Sequence, residues 1–208
     1  MGEDGKRYLY VSDGVLIPLN DDGLTRSGPD EKLYEGWKYP ADWAVETFAL
    51  EGPKIIRRNG WFYMFSAEGG TAGPPTSHMV VVARSRSIRG PWDNCPHNPI
   101  VRTTDLSEAW WSRGHATLFE GPAGDWWSVY HGYEKDFWTL GRQTLLDPVS
   151  WTADGWFRME GGDLSKPIRA PKGGRKAGPH GMPLSDDFSS LEIGRRWNFF
   201  KPSPTERD

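Results

Sequence analysis

The chain has 208 residues, enough for one sizeable domain, and a formal charge of −3 that supplies no global field for attracting nucleic acid. It has no run of 18 apolar residues to cross a membrane, and Met1–Tyr10 is charged and polar, without the apolar centre of a signal peptide. The compartment stays open. One cysteine, Cys95, rules out an internal disulfide.

Aromatic residues are abundant, with 12 Trp, 7 Tyr and 9 Phe, and 25 Gly and 17 Pro supply turns. Short aromatic strands between Gly turns predict an all-β protein. Gly and Pro interrupt nearly every window of helical length. Three units follow one another. Asp4-Gly5, Asn59-Gly60 and Gly124-Asp125 are hairpin signals, each followed by an aromatic alternating run: Arg7–Val11, Trp61–Phe65 and Trp126–Tyr130. Each unit carries a second turn, at Asp22-Gly23, Gly90-Pro91 and Asp154-Gly155. The hairpin glycines are 55 and 64 residues apart, and the second-turn glycines 67 and 65. A repeat of this size, all strand and turn, fits one four-stranded propeller blade per unit with long loops.

Residues 166–183 are rich in Pro, Gly and basic side chains and read as a linker. Lys172, Arg175 and Lys176 are expected on a solvated face. Residues 184–208, with Leu184–Phe188 and Trp197–Phe200, read as the opening strands of another β domain.

Propellers bind ligands where the innermost strands converge at one end of the channel. Such a strand runs into the hairpin turn, and Glu51–Arg58 and His115–Glu120 have that relation to their turns. Glu51 lies nine residues before Gly60, and His115 lies nine before Gly124. The two are therefore expected at equivalent positions on neighbouring blades, facing the channel mouth. A carboxyl group there points to acid–base chemistry. Glycoside hydrolysis uses two: one protonates the leaving oxygen, and the other activates water or attacks carbon. Glu46, five residues earlier, is a rival better suited to a loop contact. His78, His97, His131 and His180 show no metal-ligand spacing, and His131 is expected to be structural or to act from behind the site. Glu68–His78 is a Gly-rich loop expected to shape a pocket.

These residues resemble a known pattern. Glu51-Gly52-Pro53, the Asn-Gly hairpin and Trp61–Phe65 look like the general-acid strand of glycoside hydrolase family 43. Ala83–Ser85, Gly90–Trp92, Gly114-His115, Tyr130-His131, Leu140–Gln143 and Trp151–Trp156 follow in that family's order. The resemblance implies an incomplete five-bladed β-propeller over 1–165, from the end of blade 2 through blade 5. A linker at 166–183 and the start of a β-sandwich domain at 184–208 would follow. It implies inverting hydrolysis of xylose- or arabinose-containing plant polysaccharides or oligosaccharides, as a β-xylosidase or α-L-arabinofuranosidase. It makes Glu51 the general acid and Arg142 a substrate-binding residue. It makes His115 a ligand of a central cation, usually calcium, directly or through water. No organic cofactor, nucleic acid or membrane partner is implied, and the oligomeric state is left open.

The family's base Asp and its acid-tuning Asp have no counterpart. The nine-residue offset applied to Gly5 falls before residue 1, and Asp13, Asp21 and Asp22 follow the hairpin. An inactive fragment is therefore expected, with a non-catalytic carbohydrate-binding propeller as the alternative reading. An incomplete ring exposes strand edges and blade faces, so marginal stability and self-association are expected. Sedimentation combined with thermal unfolding checks this; a soluble monomer with one sharp transition counts against it.

Overall fold

The computed structural model of the chain describes residues 1–159 continuously, with Leu164, Ile168, Arg169, 171–173 and Ser189. The chain divides into two compact units, Met1–Gly174 and Arg175–Asp208, and the first contains all the described residues but Ser189. The linker expected at 166–183 falls mostly outside the described residues, and the sandwich start at 184–208 falls outside them except for Ser189.

The described residues are all-β apart from two short 3-10 turns, Ser12–Gly14 and Trp138–Leu140. Three antiparallel sheets form. The first contains β1 (Arg7–Val11), β2 (Val15–Leu19) and β3 (Glu31–Lys32), in that order. The second contains β4 (Glu51–Arg58), β5 (Trp61–Glu68), β6 (Met79–Ser85) and β7 (Asp93–Asn94), with β8 (Val101–Arg102) also pairing β6. The third contains β9 (Trp110–Glu120), β10 (Trp126–Glu134), β11 (Arg142–Trp151) and β12 (Phe157–Met159).

The expected hairpins appear at their glycines. Asn59 and Gly60 have φ of 51° and 73°, the left-handed pair that a type I′ turn requires, and Arg58 pairs directly with Trp61. Gly121–Asp125 closes the β9–β10 hairpin, where the Gly121 N–H donates to the Asp125 carbonyl. The second turns join the third strand of each unit to its fourth. Among the described residues the first sheet has three strands. Two larger sheets, one of five strands and one of four, follow the three-stranded one among the described residues, and the hairpin at Gly124 and the turn at Gly155 lie in the same sheet.

The middle sheet is buried on both faces, and strand alternation divides its side chains between two cores. Phe62, Met64 and Ala83 pack with Tyr10 and Leu16 of the first sheet. Tyr63, Phe65, Val80 and Val82 pack with Leu118, Tyr130, Leu145, Trp156 and Phe157 of the third. This explains why Met79–Ala83 reads as an unbroken apolar run rather than an alternating one. Cation–π contacts tie the second and third sheets together at the end away from Glu51. Arg84 lies 4.5 Å from the Trp61 ring and 4.1 Å from the Trp156 ring, and Arg58 lies 4.1 Å from the Trp151 ring.

Tyr63 is 1% exposed, meets Trp151 and Trp156 edge to face, and donates its hydroxyl to the Gly155 carbonyl. Tyr63→Ala is expected to cost about 3–5 kcal/mol, and Tyr63→Phe about 1 kcal/mol. Urea unfolding measures both; equal costs would show that the hydroxyl, not the ring, joins the blades.

Candidate active site

Glu51 is the first residue of β4, and His115 lies within β9. The structure brings them together as the spacing predicts: His115 Nδ1 is 3.8 Å from Glu51 Oε1, with side chains 32% and 48% exposed. Backbone geometry permits the approach. Gly52 has φ of 57°, and a Cβ there would sit 2.1 Å from His115 Nε2. His115 itself has φ of 61°, a left-handed conformation that a non-glycine residue adopts at an energetic cost.

Two histidines that showed no ligand spacing join this pair. His78 precedes β6, and His131 lies in β10 opposite Gly114. One ring nitrogen from each of His78, His115 and His131 lies within 4.8 Å of the others. His78 and His131 stack, with ring centroids 5.1 Å apart and planes 17° apart. The stack fits because Gly114 has no side chain: a Cβ there would meet His78 Cδ2 at 2.0 Å. His131, expected as a structural residue or one acting from behind the site, therefore lies within the cluster. Hairpin register places it in the cluster, and position in the sequence conceals this.

The site's electrostatics favour neutral imidazoles. Burial lowers His78, although its hydrogen bond to the Gly69 carbonyl and the Glu51 charge oppose the shift. Burial lowers His115 first, with Lys54 adding to it. His131 is pushed down to about 3 by burial, then by His78, Arg142 and His115. Arg142 opens β11 opposite Tyr133 and is exposed, and no carboxylate among the described residues forms an ion pair with it. Its charge reaches all three histidines. Glu51 is the carboxylate whose charge acts on His78 and His115.

Glu46 serves the neighbouring loop. Its Oε2 accepts from the Ala72 and Gly73 backbone N–H groups at 3.0 and 2.9 Å, and its own N–H donates to Ser77 Oγ at 2.8 Å. The loop docks on the third sheet, where the Ser112 N–H donates to the Pro75 carbonyl. Gly73 and Pro75 then line a cavity of about 420 Å³ with Trp111, Asp136, Trp138 and Thr139. Asp22 is a turn residue, accepting from the Leu24 and Thr25 backbone N–H groups. His97 lies apart, 4.0 Å from Asp154, and His180 falls outside the described residues.

Calcium, the cation that the resemblance implies, takes six to eight oxygen ligands. The histidine cluster offers imidazole nitrogens instead. As direct ligands these residues do not fit a calcium cage.

Glu51 is thus half-exposed beside His115, where the second and third sheets meet. Residues 1–157 match the family model described as Glycosyl hydrolases family 43, and the chain belongs to that family. It is 32% identical over 156 residues to the non-reducing end alpha-L-arabinofuranosidase of Bacteroides ovatus, covering 73% of this chain and 29% of that protein. It is 29% identical over 197 residues to a xylan 1,3-beta-xylosidase of Vibrio, covering 81% of this chain and 35% of the relative. The solved xylan beta-1,4-xylosidase of Bacillus halodurans superposes with a TM-score of 0.69 at 28% identity, over 92% of this chain and 38% of that one. A family 43 protein of Bacillus licheniformis gives 0.68 at 37% identity, over 82% of this chain and 32% of that one. The chain thus spans about a third of the length of these relatives.

One buried carboxyl group beside the loop generates a pH prediction. Glu68 is 0% exposed, accepts from the Trp37 N–H at 2.6 Å through Oε1, and has no partner at Oε2. Burial raises its pKa to about 7 against the opposing effect of that hydrogen bond. The folded chain therefore keeps a proton that the unfolded chain releases above about pH 4.3. The resulting stability is complete below about pH 4.3 and is lost as pH rises towards about 7. Glu68→Gln is expected to flatten that part of the stability curve, measured as urea midpoints across it. An unchanged slope would place the buried proton elsewhere.

Proposed function

We propose that Glu51 is the general acid of a glycosidase site for xylose- or arabinose-containing plant polysaccharides, of β-xylosidase or α-L-arabinofuranosidase type, working by inversion. The observation that carries this reading is the position of Glu51. It starts an innermost strand, is half-exposed where two blades converge, and lies beside His115. The relatives' names support the sugar class, since both xylosidases and an arabinofuranosidase occur among them.

In this reading Glu51 delivers its proton to the glycosidic oxygen as the leaving sugar departs. A second carboxylate activates water on the opposite face of the ring. Arg142, exposed and without a carboxylate partner among the described residues, reaches a sugar hydroxyl or holds a catalytic carboxylate. Trp111 and Trp138 offer flat surfaces for a sugar ring on the neighbouring cavity. A five-bladed ring would close the channel around these groups, with the β-sandwich domain beyond it.

The described residues bring one carboxylate, Glu51, to the histidine cluster, and the chemistry needs two. The 208-residue chain is therefore expected to hydrolyse aryl β-xylosides and α-arabinofuranosides at no more than about 10⁻² of the rate of a complete site. In any longer polypeptide that carries this chain and is active, Glu51→Gln is expected to lower kcat by about 10²–10⁴ for glycosides with poor leaving groups. The loss should shrink for nitrophenolate leaving groups, which depart without a proton. A loss independent of the leaving group, or no loss, would remove Glu51 from the acid role.

A further inference from the structure

We propose that the end of the molecule away from Glu51 carries a second binding site, a set of arginines that takes the carboxylates of a uronate-bearing polysaccharide. The carboxylate follows from the arginines alone. The choice of a sugar polymer to carry it rests on the glycosidase reading above.

Strand ends of the second sheet build the site. Arg57 and Arg58 close β4, Arg84 lies in β6, and Arg86 directly follows that strand. Register gathers them beside the Asn59-Gly60 turn, with Arg58 opposite Trp61 and Arg84 opposite Tyr63. Glu51 begins β4 and Arg58 ends it, so one strand length, roughly 23 Å, separates the two sites.

Aromatic rings hold the guanidinium groups in place. Arg86 lies 3.8 Å from the Trp61 ring, and Arg84 lies 4.5 Å from the same ring and 4.1 Å from Trp156. Arg58 lies 4.1 Å from Trp151, and Arg57 lies 5.3 Å from Phe62. A guanidinium group stacked on a ring keeps its N–H donors at its edge, where one carboxylate can take two of them. Stacking in the free protein also lessens the side-chain freedom lost on binding. These rings are already engaged, so this end presents guanidinium edges rather than bare faces for a neutral sugar.

The charges are uncompensated. Among the described residues no carboxylate lies within 4.0 Å of these four arginines, whereas Arg26, Arg89 and Arg113 each have one. Arg84 donates to the backbone carbonyl of Asp154, whose carboxylate accepts from Thr152 and lies 4.0 Å from His97. Arg86 donates to the carbonyls of Asn59 and Gly60 through one nitrogen, which leaves the rest of its fork. Arg57 and Arg86 are exposed, and Arg58 is half-buried. This local excess stands in a chain of formal charge −3, which disfavours a nucleic acid as the partner. A uronate chain repeats one carboxylate per sugar, and a few guanidinium groups at one turn match a short stretch of it.

The test is calorimetry of the 208-residue chain with a hexamer of galacturonic acid, the same hexamer as its methyl ester, and a single-stranded thymidylate hexamer, at about 0.1 M salt. The acid is expected to bind at least about 10-fold more tightly than the uncharged ester. Arg58→Gln and Arg86→Gln should each weaken the acid about 3–10-fold, and Arg86→Lys, which keeps the charge but not the fork, by part of that. Arg26→Gln removes a cation already paired with Asp30 and should change nothing. Far-ultraviolet circular dichroism reports whether the strands survive. Should the half-buried Arg58 variant unfold, the exposed Arg86→Gln reads out the same site. No binding of the acid, equal binding of the ester, indifference to both glutamine variants, or tighter binding of the thymidylate would each overturn the proposal. The probe contains neither xylose nor arabinose, so its binding stands or falls apart from the Glu51→Gln result.

Discussion

Everything at the candidate site depends on the middle sheet being buried on both faces. Within β5, successive side chains alternate between two cores: Phe62 and Met64 face the first sheet, Tyr63 and Phe65 the third. A one-residue slip would exchange the two sets and match neither neighbour. Register is therefore fixed by packing on both sides, and with it the height at which β4 begins and β6 starts. Those ends carry Glu51 and, one residue before β6, His78. A site made of strand ends inherits its precision from the strand interiors.

The third sheet contributes the other half, and its irregularities matter. Between β9 and β10 the register shifts twice around His131, and His115 takes a left-handed backbone conformation at the same place. Bulges of this kind re-aim side chains near functional sites. Here the shift sets His131 opposite Gly114, where the missing side chain makes room for His78. The glycines at 52 and 114 and the strained histidine form one arrangement. Two backbones give up side-chain volume so that three rings fit near one carboxylate.

Much of this was legible in the sequence, for physical reasons. Hairpin turns need particular residues, so Asn59-Gly60 marked its turn and, by counting back, the strand carrying Glu51. The same count from Gly124 found His115 and predicted its approach to Glu51. His131 could have been found as well. Counting forward from the pair Glu120 and Trp126 brings it opposite residue 115, one place from where the bulge puts it. His78 had no such signal. It joins the cluster because a loop clamped by Glu46 returns the chain to β6, and no local spacing encodes that path.

The tryptophans show where composition stops informing. The same ring chemistry serves packing and sugar binding, and only the neighbours distinguish them. Trp61, Trp126, Trp151 and Trp156 are committed to the core between the second and third sheets, several under arginine guanidinium groups. Trp92 meets Tyr10 edge to face and donates to its hydroxyl, serving the other core. Trp111 and Trp138 line the open cavity beside the Gly-rich loop. An aromatic-rich sequence thus reports mainly on how blades adhere to one another. Large flat side chains fill wedge-shaped gaps between twisted sheets, even at the cost of leaving the buried Trp151 N–H without a hydrogen-bond partner. A few rings remain free for a ligand, and they lie at the strand ends, where the sheets no longer cover them.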